Sequence, residues 1–391
     1  MKNILIIATY FPPMGGVGTI RITKYVKYLR KFNWNPTVIT ISENYIQKKD
    51  ETLLKDISPE VETFKLEFKR KNKDISIDFY KALKRQIGKI LEKKKFDMVF
   101  ITVGPFGTLP IGEYIYKKYG IKFVLDMRDP WKLQKLHYNN KLSYIVAKLK
   151  RFLKGRIEKK SFKNASYICT VNNTMTEDYA REYPQYREKF ITISNGIDVD
   201  DYSNIQARKF DKFTIVYAGK FETAAGFRDP TNFIKAIKTL INKKYDIEFV
   251  HIGERESKVI DIARNTGIVD NCKFLGKKSY GETLEYCKGA NILLVIGGNE
   301  KSEQTGKIFD YIGCCKPILV LANKDSEINK VCSKIELATC IEKNNIDRIE
   351  KAIINIFDNK SQTVNGNIPK EYTREYLTYK LVQILNKIDK G

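Results

Sequence analysis

The 391-residue sequence predicts an α/β protein of two doubly wound domains facing each other across a cleft. Three observations predict it. Continuous apolar runs alternate with helix-period segments along the chain, the pattern of parallel strands covered on both faces. The series restarts after Asn195-Gly196, so it occurs twice. Glycines gather where strands end, the place where such sheets receive ligands.

In chain order, the first series of strands is expected at residues 3–8, 36–41, 98–103, 122–126, 167–171 and 190–194. The second is expected at 213–218, 248–252, 272–275, 292–296 and 317–321. Helical stretches separate most of them, and residues 371–390 read as a closing helix that crosses back to the first domain. The expected domains are therefore 1–200, 201–370 and the closing helix at 371–391. Beyond this βα rhythm the sequence shows no internal repeat and no low-complexity segment.

Composition narrows the classes. Hydrophobic residues make up 42% of the chain and mean hydropathy is −0.38, values of a globular protein. No run approaches the ~18 apolar residues that span a bilayer. Residues 4–8 are too short an apolar stretch for a signal-peptide core. Seven cysteines without metal-ligand spacing suggest reduced thiols in a cytoplasm, and two histidines leave little for a histidine-based metal site. The net charge of +24 is uneven: residues 1–200 hold 39 basic and 21 acidic side chains, residues 201–391 hold 31 and 25. Lysine-rich composition, a nucleic-acid surface or an anionic membrane surface are the readings of that excess.

The first strand runs into "TYFPPMGGVGTIR", which places Gly15, Gly16 and Gly18 in the first βα turn. The turn is a poor dinucleotide fingerprint, since Arg21 falls where the third glycine belongs and Glu43, the first acid after the second strand, is a weak ribose ligand. A nicotinamide dehydrogenase is thus a weaker alternative. The glycines still allow close backbone approach to a phosphate or sugar. The fourth strand ends in "VLDMRDPWKLQ", where Asp126, Arg128, Asp129 and Trp131 cluster at a strand mouth.

In the second series, Lys220 and Arg228 follow a strand, as a diphosphate leaving group requires: fixed positive charge where negative charge develops. Gly253 follows the next strand and Gly276-Lys277 the third. In "TGKIFDYIGCCKPILV", Thr305, Gly306 and Lys307 open a helix and Asp310 lies one turn in. A cation at that end opposes the helix dipole unless an anion docks there.

The order "YFPPMGGVG", "NGID", "YAGKF", "FLGKKSY" and "TGKIFDYIGCCKPIL" resembles the retaining glycosyltransferases of family 4, with the GT-B fold, over nearly the whole chain. "DMRDPW" and the "GKIFDY" helix resemble a bacterial subgroup acting in surface polysaccharide assembly. The resemblance implies a nucleotide-sugar donor in the second domain, with a UDP-sugar favoured, an acceptor in the first, and neither metal nor cofactor. It matches Lys220 to the first phosphate-binding basic residue, Asp310 to the second acid of the ribose-binding pair, Leu275-Gly276-Lys277 to the loop meeting the base, and Gly15-Gly16 to the loop approaching the donor. The sequence departs from the family at Ser302, where the first acid is expected with Glu303 one residue off, and at Gly226, where the second basic residue is expected. Arg228 is the nearest replacement, with Lys307 as a further cation. The family's front-domain histidine has no counterpart, and Arg128 and Asp129 occupy that region as catalytic candidates.

Asp198-x-Asp200 carries a metal-motif spacing but lies in the expected linker, so no metal is expected there. No basic-aromatic module recurs, and no nucleic-acid partner is expected. The basic excess gathers at residues 80–96 (seven cations, one acid) and 141–163 (nine and one). In the second stretch Leu142, Ile145, Val146, Leu149, Phe152 and Leu153 form a stripe expected to be the core face, leaving a cationic face outward. Such a face suits the inner surface of a cell membrane, and the resemblance implies a polyprenyl-diphosphate-linked or other glycan acceptor there. The expected place of action is cytoplasmic, peripherally associated with that membrane.

Overall fold

The computed structural model describes residues 1–46, 49–134, 140–221, 228–299, 301, 305–359 and 367–390. The chain divides into two compact units, residues 1–195 with 374–391 and residues 196–373.

The first unit is built on seven strands: β1 (Lys2–Ala8), β2 (Trp34–Ile41), β3 (Thr63–Leu66), β4 (Met98–Val103), β5 (Phe123–Met127), β6 (Tyr167–Thr170) and β7 (Phe190–Thr192). Their order is β3-β2-β1-β4-β5-β6-β7 and the registered pairs are parallel. Its helices are α1 (Val17–Leu29), α2 (Ile75–Lys93), α3 (Ile111–Tyr119), α4 (Lys141–Asn164) and α5 (Asn173–Glu182). Strand alternation sorts the core. Leu5 and Ile7 join one buried cluster with α2 and α3, while Ile4 and Ile6 join the other with α1.

The second unit repeats the plan with six strands, β8 (Phe213–Ala218), β9 (Ile247–Ile252), β10 (Cys272–Phe274), β11 (Ile292–Ile296), β12 (Ile318–Leu321) and β13 (Ala338–Ile341). Their order is β10-β9-β8-β11-β12-β13. Around them lie α6 (Asp200–Ser203), α7 (Thr231–Asn242), α8 (Ser257–Thr266), α9 (Tyr280–Gly289), α10 (Lys307–Gly313), α11 (Glu327–Cys332) and α12 (Ile346–Asp358). Finally α13 (Arg374–Lys390) returns to the first unit, burying Leu377, Leu381 and Leu385 in one cluster with Ile22, Val26 and Leu29 of α1. In each sheet the strand order reverses once, between β1 and β4 and between β8 and β11, and these are the switch points where doubly wound sheets bind ligands.

The expected strands are present, with ends shifted by a residue or two. Two more exist: β3 and β13, each four residues long at a sheet edge, too short to show a periodic signal.

One expectation is reversed. In α2 the apolar side chains Phe79, Leu83, Ile87 and Ile90 are buried and the cations face out, as a surface helix should be. In α4 the apolar stripe faces out. Leu142 is 72% exposed, Ile145 61%, Leu149 58% and Phe152 59%, whereas the buried positions are Gly155, Glu158, Ser161 and Phe162. The stripe is not a core face. The helix is held by other means: an Asn140–Ser143 capping box starts it, and Glu158 accepts from the Tyr179 and Tyr183 phenols and the Lys132 backbone N–H.

Candidate active site

At the carboxyl rim of the first sheet, charge is spent internally. Arg21, on α1, is buried and donates from Nη2 and Nε to Asp126 at 2.8 and 3.0 Å, and to the Ile193 and Ser194 carbonyls. Burial works against the Arg21 charge, and the Asp126 carboxylate more than offsets it, holding the guanidinium above the usual arginine range. The position of a fingerprint glycine therefore holds a structural ion pair, and a dehydrogenase-type turn is not what α1 opens with. β5 ends at Met127, so Asp126 and Arg128 do not act as neighbours on one strand face. Arg128 turns back to donate to the Gly104 carbonyl. A Cβ on Gly18 would fall 1.5 Å from its Nη1, so Gly18 is the space the guanidinium occupies. Burial is the main influence on Arg128, pulling its pKa down. Asp129 is exposed at the turn, and Trp131 stacks on Phe106 at 5.1 Å. Gly16, at φ 116°, precedes α1, and Gly15 packs on Asp50.

The rim of the second sheet is built the other way, from backbone. β8 ends into Gly219, whose φ of 123° and position beneath Lys307 exclude a side chain. A Cβ on Gly253 would lie 2.3 Å from the Gly219 carbonyl oxygen. The same carbonyl accepts from His251 Nε2 at 2.8 Å, and the Gly253 N–H donates to Gly276 O at 3.0 Å. Glycines thus draw the ends of β8, β9 and β10 together beside the switch point.

Onto that frame the cations converge. Lys220 and Lys277, about half exposed, both pair with Glu254, at 2.6 and 3.5 Å. The Lys220 bond chiefly, then its charge and that of Lys277, hold the Glu254 carboxyl below its ordinary range. Arg228 donates its N–H to Phe221 O at 3.1 Å, and its Nη1 lies 3.5 Å from the Lys220 carbonyl. Lys307 reaches across from α10, donating to Tyr217 Oη at 2.9 Å with its ammonium 4.2 Å from that ring's centre. Tyr217 in turn donates to the Lys220 carbonyl at 2.8 Å. Tyr217 and the Lys220 carbonyl thus link Lys307 and Arg228, while the Lys220 ammonium is held on Glu254.

Asp310, one turn into α10, has its Oδ1 accepting from Tyr280 Oη at 2.9 Å and Tyr202 Oη at 3.3 Å. Burial first, then the Asp310 charge, push both phenols well above the usual tyrosine range, so they remain donors. Tyr202 passes beneath α10 because Gly313 has no Cβ; one would lie 2.3 Å from the ring. Thr305 is buried and its carbonyl accepts from Ile308 N, while Gly306 is the N-cap without a side-chain bond. Glu303 lies outside the described residues. Asp198 is buried and its Oδ1 accepts the Asp200 N–H, while Asp200 is exposed.

Sequence reasoning missed Glu254, His251, Tyr217, Tyr202 and Tyr280. Only Tyr280 carried a local signal, the Ser279–Glu282 capping box that starts α9 beside it.

Comparison with known proteins agrees with this geometry. Residues 14–201 match the model of glycosyltransferase family 4, and residues 198–375 match that of glycosyl transferases group 1. No curated protein matches the chain. Among solved structures, sucrose-phosphate synthase from Thermosynechococcus elongatus is similar over 99% of this chain and 99% of its own, at 14% identity and a TM-score of 0.66. WaaG, a glycosyltransferase involved in lipopolysaccharide biosynthesis, is similar over 99% and 98%, at 13% identity and 0.62. An S. aureus MnaA–UDP co-structure is similar over 99% and 97%, at 16% identity and 0.56. Two parallel sheets with this strand order, and family models that between them run from residue 14 to 375, lead to one conclusion: the chain belongs to the family 4 glycosyltransferases of GT-B fold.

Proposed function

We propose that the second unit binds a nucleotide-sugar donor, a UDP-sugar in the favoured reading, and that the enzyme transfers its sugar with retention and without a metal. The observation that carries the reading is the gathering of Lys307 and Arg228 around Tyr217 and the Lys220 carbonyl, with the Lys220 ammonium on Glu254, at a rim turned by Gly219 and Gly253. When the bond from the sugar's anomeric carbon to the diphosphate breaks, its electron pair goes to the leaving phosphate oxygen. Fixed cations stabilise that developing charge. Asp310, aimed by two phenols, is the carboxylate assigned to the ribose hydroxyls, and the Gly276-Lys277 loop is assigned to the base. The MnaA–UDP co-structure, a similar fold with UDP, fits this reading. The acceptor is a glycan, carried on a polyprenyl diphosphate or free, and the product enters cell-surface polysaccharide at the inner face of the membrane. WaaG, with its role in lipopolysaccharide biosynthesis, shares this fold.

Calorimetry with UDP and GDP in the presence of chelator tests the donor site. Binding of UDP without a divalent ion is expected, and strict dependence on one sinks the metal-independent reading. Lys220→Ala is expected to lower turnover by roughly 10²-fold or more while changing UDP affinity much less, because its charge matters most as the diphosphate leaves.

A further inference from the structure

α4 is inverted relative to an ordinary surface helix. The side turned to the protein carries Ser143, Ala147, Arg151, Lys154, Gly155 and Glu158, each partly or fully buried. The side turned away carries Leu142, Ile145, Val146, Leu149, Phe152 and Leu153, all exposed. Scattered surface leucines need no explanation, but six contiguous apolar side chains at helical spacing do. They run along the helix for roughly 17 Å at 1.5 Å per residue.

The charges around this face say what it fits. Residues 141–157 hold Lys141, Lys148, Lys150, Arg151, Lys154 and Arg156 and no acid. Two copies of the face brought together would oppose like charges. Beside it lies a groove of about 570 Å³ whose lining includes Trp131, Lys150, Arg151 and Lys154. An amphipathic body such as the indole, next to cations and an apolar helix face, matches the boundary between phosphate headgroups and acyl chains. Among the described residues no helix is long and apolar enough to cross a membrane.

We infer that the outward face of α4 inserts into the headgroup–acyl boundary of an anionic bilayer, with the exposed Lys141, Lys148, Lys150 and Arg156 on lipid phosphates. This deepens the membrane-surface reading given above but stands on α4 alone and not on the donor site. It also changes the physics of that reading. Charge alone is screened when the Debye length falls to about 3 Å at 1 M salt, whereas buried apolar side chains continue to hold.

The test uses the full chain sedimented with vesicles of phosphatidylglycerol and phosphatidylcholine, or of phosphatidylcholine alone, at low salt and at about 1 M salt. Binding to the anionic vesicles is expected, with a fraction surviving high salt. Leu149→Glu with Phe152→Glu should weaken partitioning at least about tenfold, whereas Lys81→Glu with Arg85→Glu on α2 should leave most of it. Phe152→Trp should add emission that shifts to the blue on the anionic vesicles. The inference is overturned by no binding to anionic vesicles, by unchanged binding of the α4 double variant, by equal binding to neutral vesicles, or by complete release in high salt. UDP affinity measured on the same samples keeps the two proposals apart: retained UDP binding without vesicle binding defeats only this one, and vesicle binding without UDP binding defeats only the donor site.

Discussion

The two units share one order over six strands, the first adding β7 at its edge, yet finish their carboxyl rims differently. In the first, arginines are consumed: Arg21 is buried on Asp126 and Arg128 fills the place of a missing Gly18 side chain. In the second, Gly219 and Gly253 press the backbone together, and Lys220 and Lys277 stay about half exposed on a single carboxylate, Glu254. A rim whose arginines are already turned in on the protein is a wall. A rim whose charges remain hydrated, over close-packed glycine turns, can exchange a carboxylate for a diphosphate. The comparison teaches that an arginine at a strand end does not mark a ligand site until its partner is known.

That difference can be broken at three places. The largest effect is expected from Asp126→Ala, which leaves the Arg21 guanidinium buried without its counter-charge. Denaturant unfolding of the first unit should show a loss of roughly 3–5 kcal/mol, and UDP affinity of the folded protein should not change. A small stability loss would mean the first rim is not the internally satisfied wall described. Next, Gly253→Ala puts a methyl 2.3 Å from the Gly219 carbonyl and must separate the ends of β8 and β9. It should cost about 1–3 kcal/mol of stability and weaken UDP binding with it; unchanged melting and affinity would show that the rim tolerates opening. The smallest effects belong to Asp310. Asp310→Ala should weaken UDP binding by roughly 1–3 kcal/mol, and Tyr280→Phe, which removes one donor to it, by about 0.5–1.5 kcal/mol. If Tyr280→Phe costs nothing, the phenol is packing and not an aim for the carboxylate.

Much of the fold was legible because parallel strands buried on both faces announce themselves as apolar runs, as "MVFITV" and "ILLVI" do. β3 and β13 were not, since "TFKL" and "ATCI" are edge strands with few apolar residues and no room for a period. At the site, Lys220, Gly253, Gly276-Lys277, Lys307 and Asp310 were legible from their spacing after strands. Glu254 and the two tyrosines on Asp310 were not, because their partners lie 34, 30 and 108 residues away and only the closed sheet brings them together. α4 misled for a different reason. Periodicity reports that a helix has an apolar side, and not which solvent that side meets.

The return of α13 to the first unit has a consequence for synthesis. The apolar side of α1, with Ile22, Val26 and Leu29, is sealed by Leu377, Leu381 and Leu385. During translation that side must wait for some 350 further residues, tens of seconds at about 5–20 residues per second. The second unit, residues 196–373, leaves the ribosome whole before the first can close. A nascent chain in this interval presents a ready surface to chaperones, and a premature stop after residue 373 would release a protein with an intact second unit and an unsealed first one.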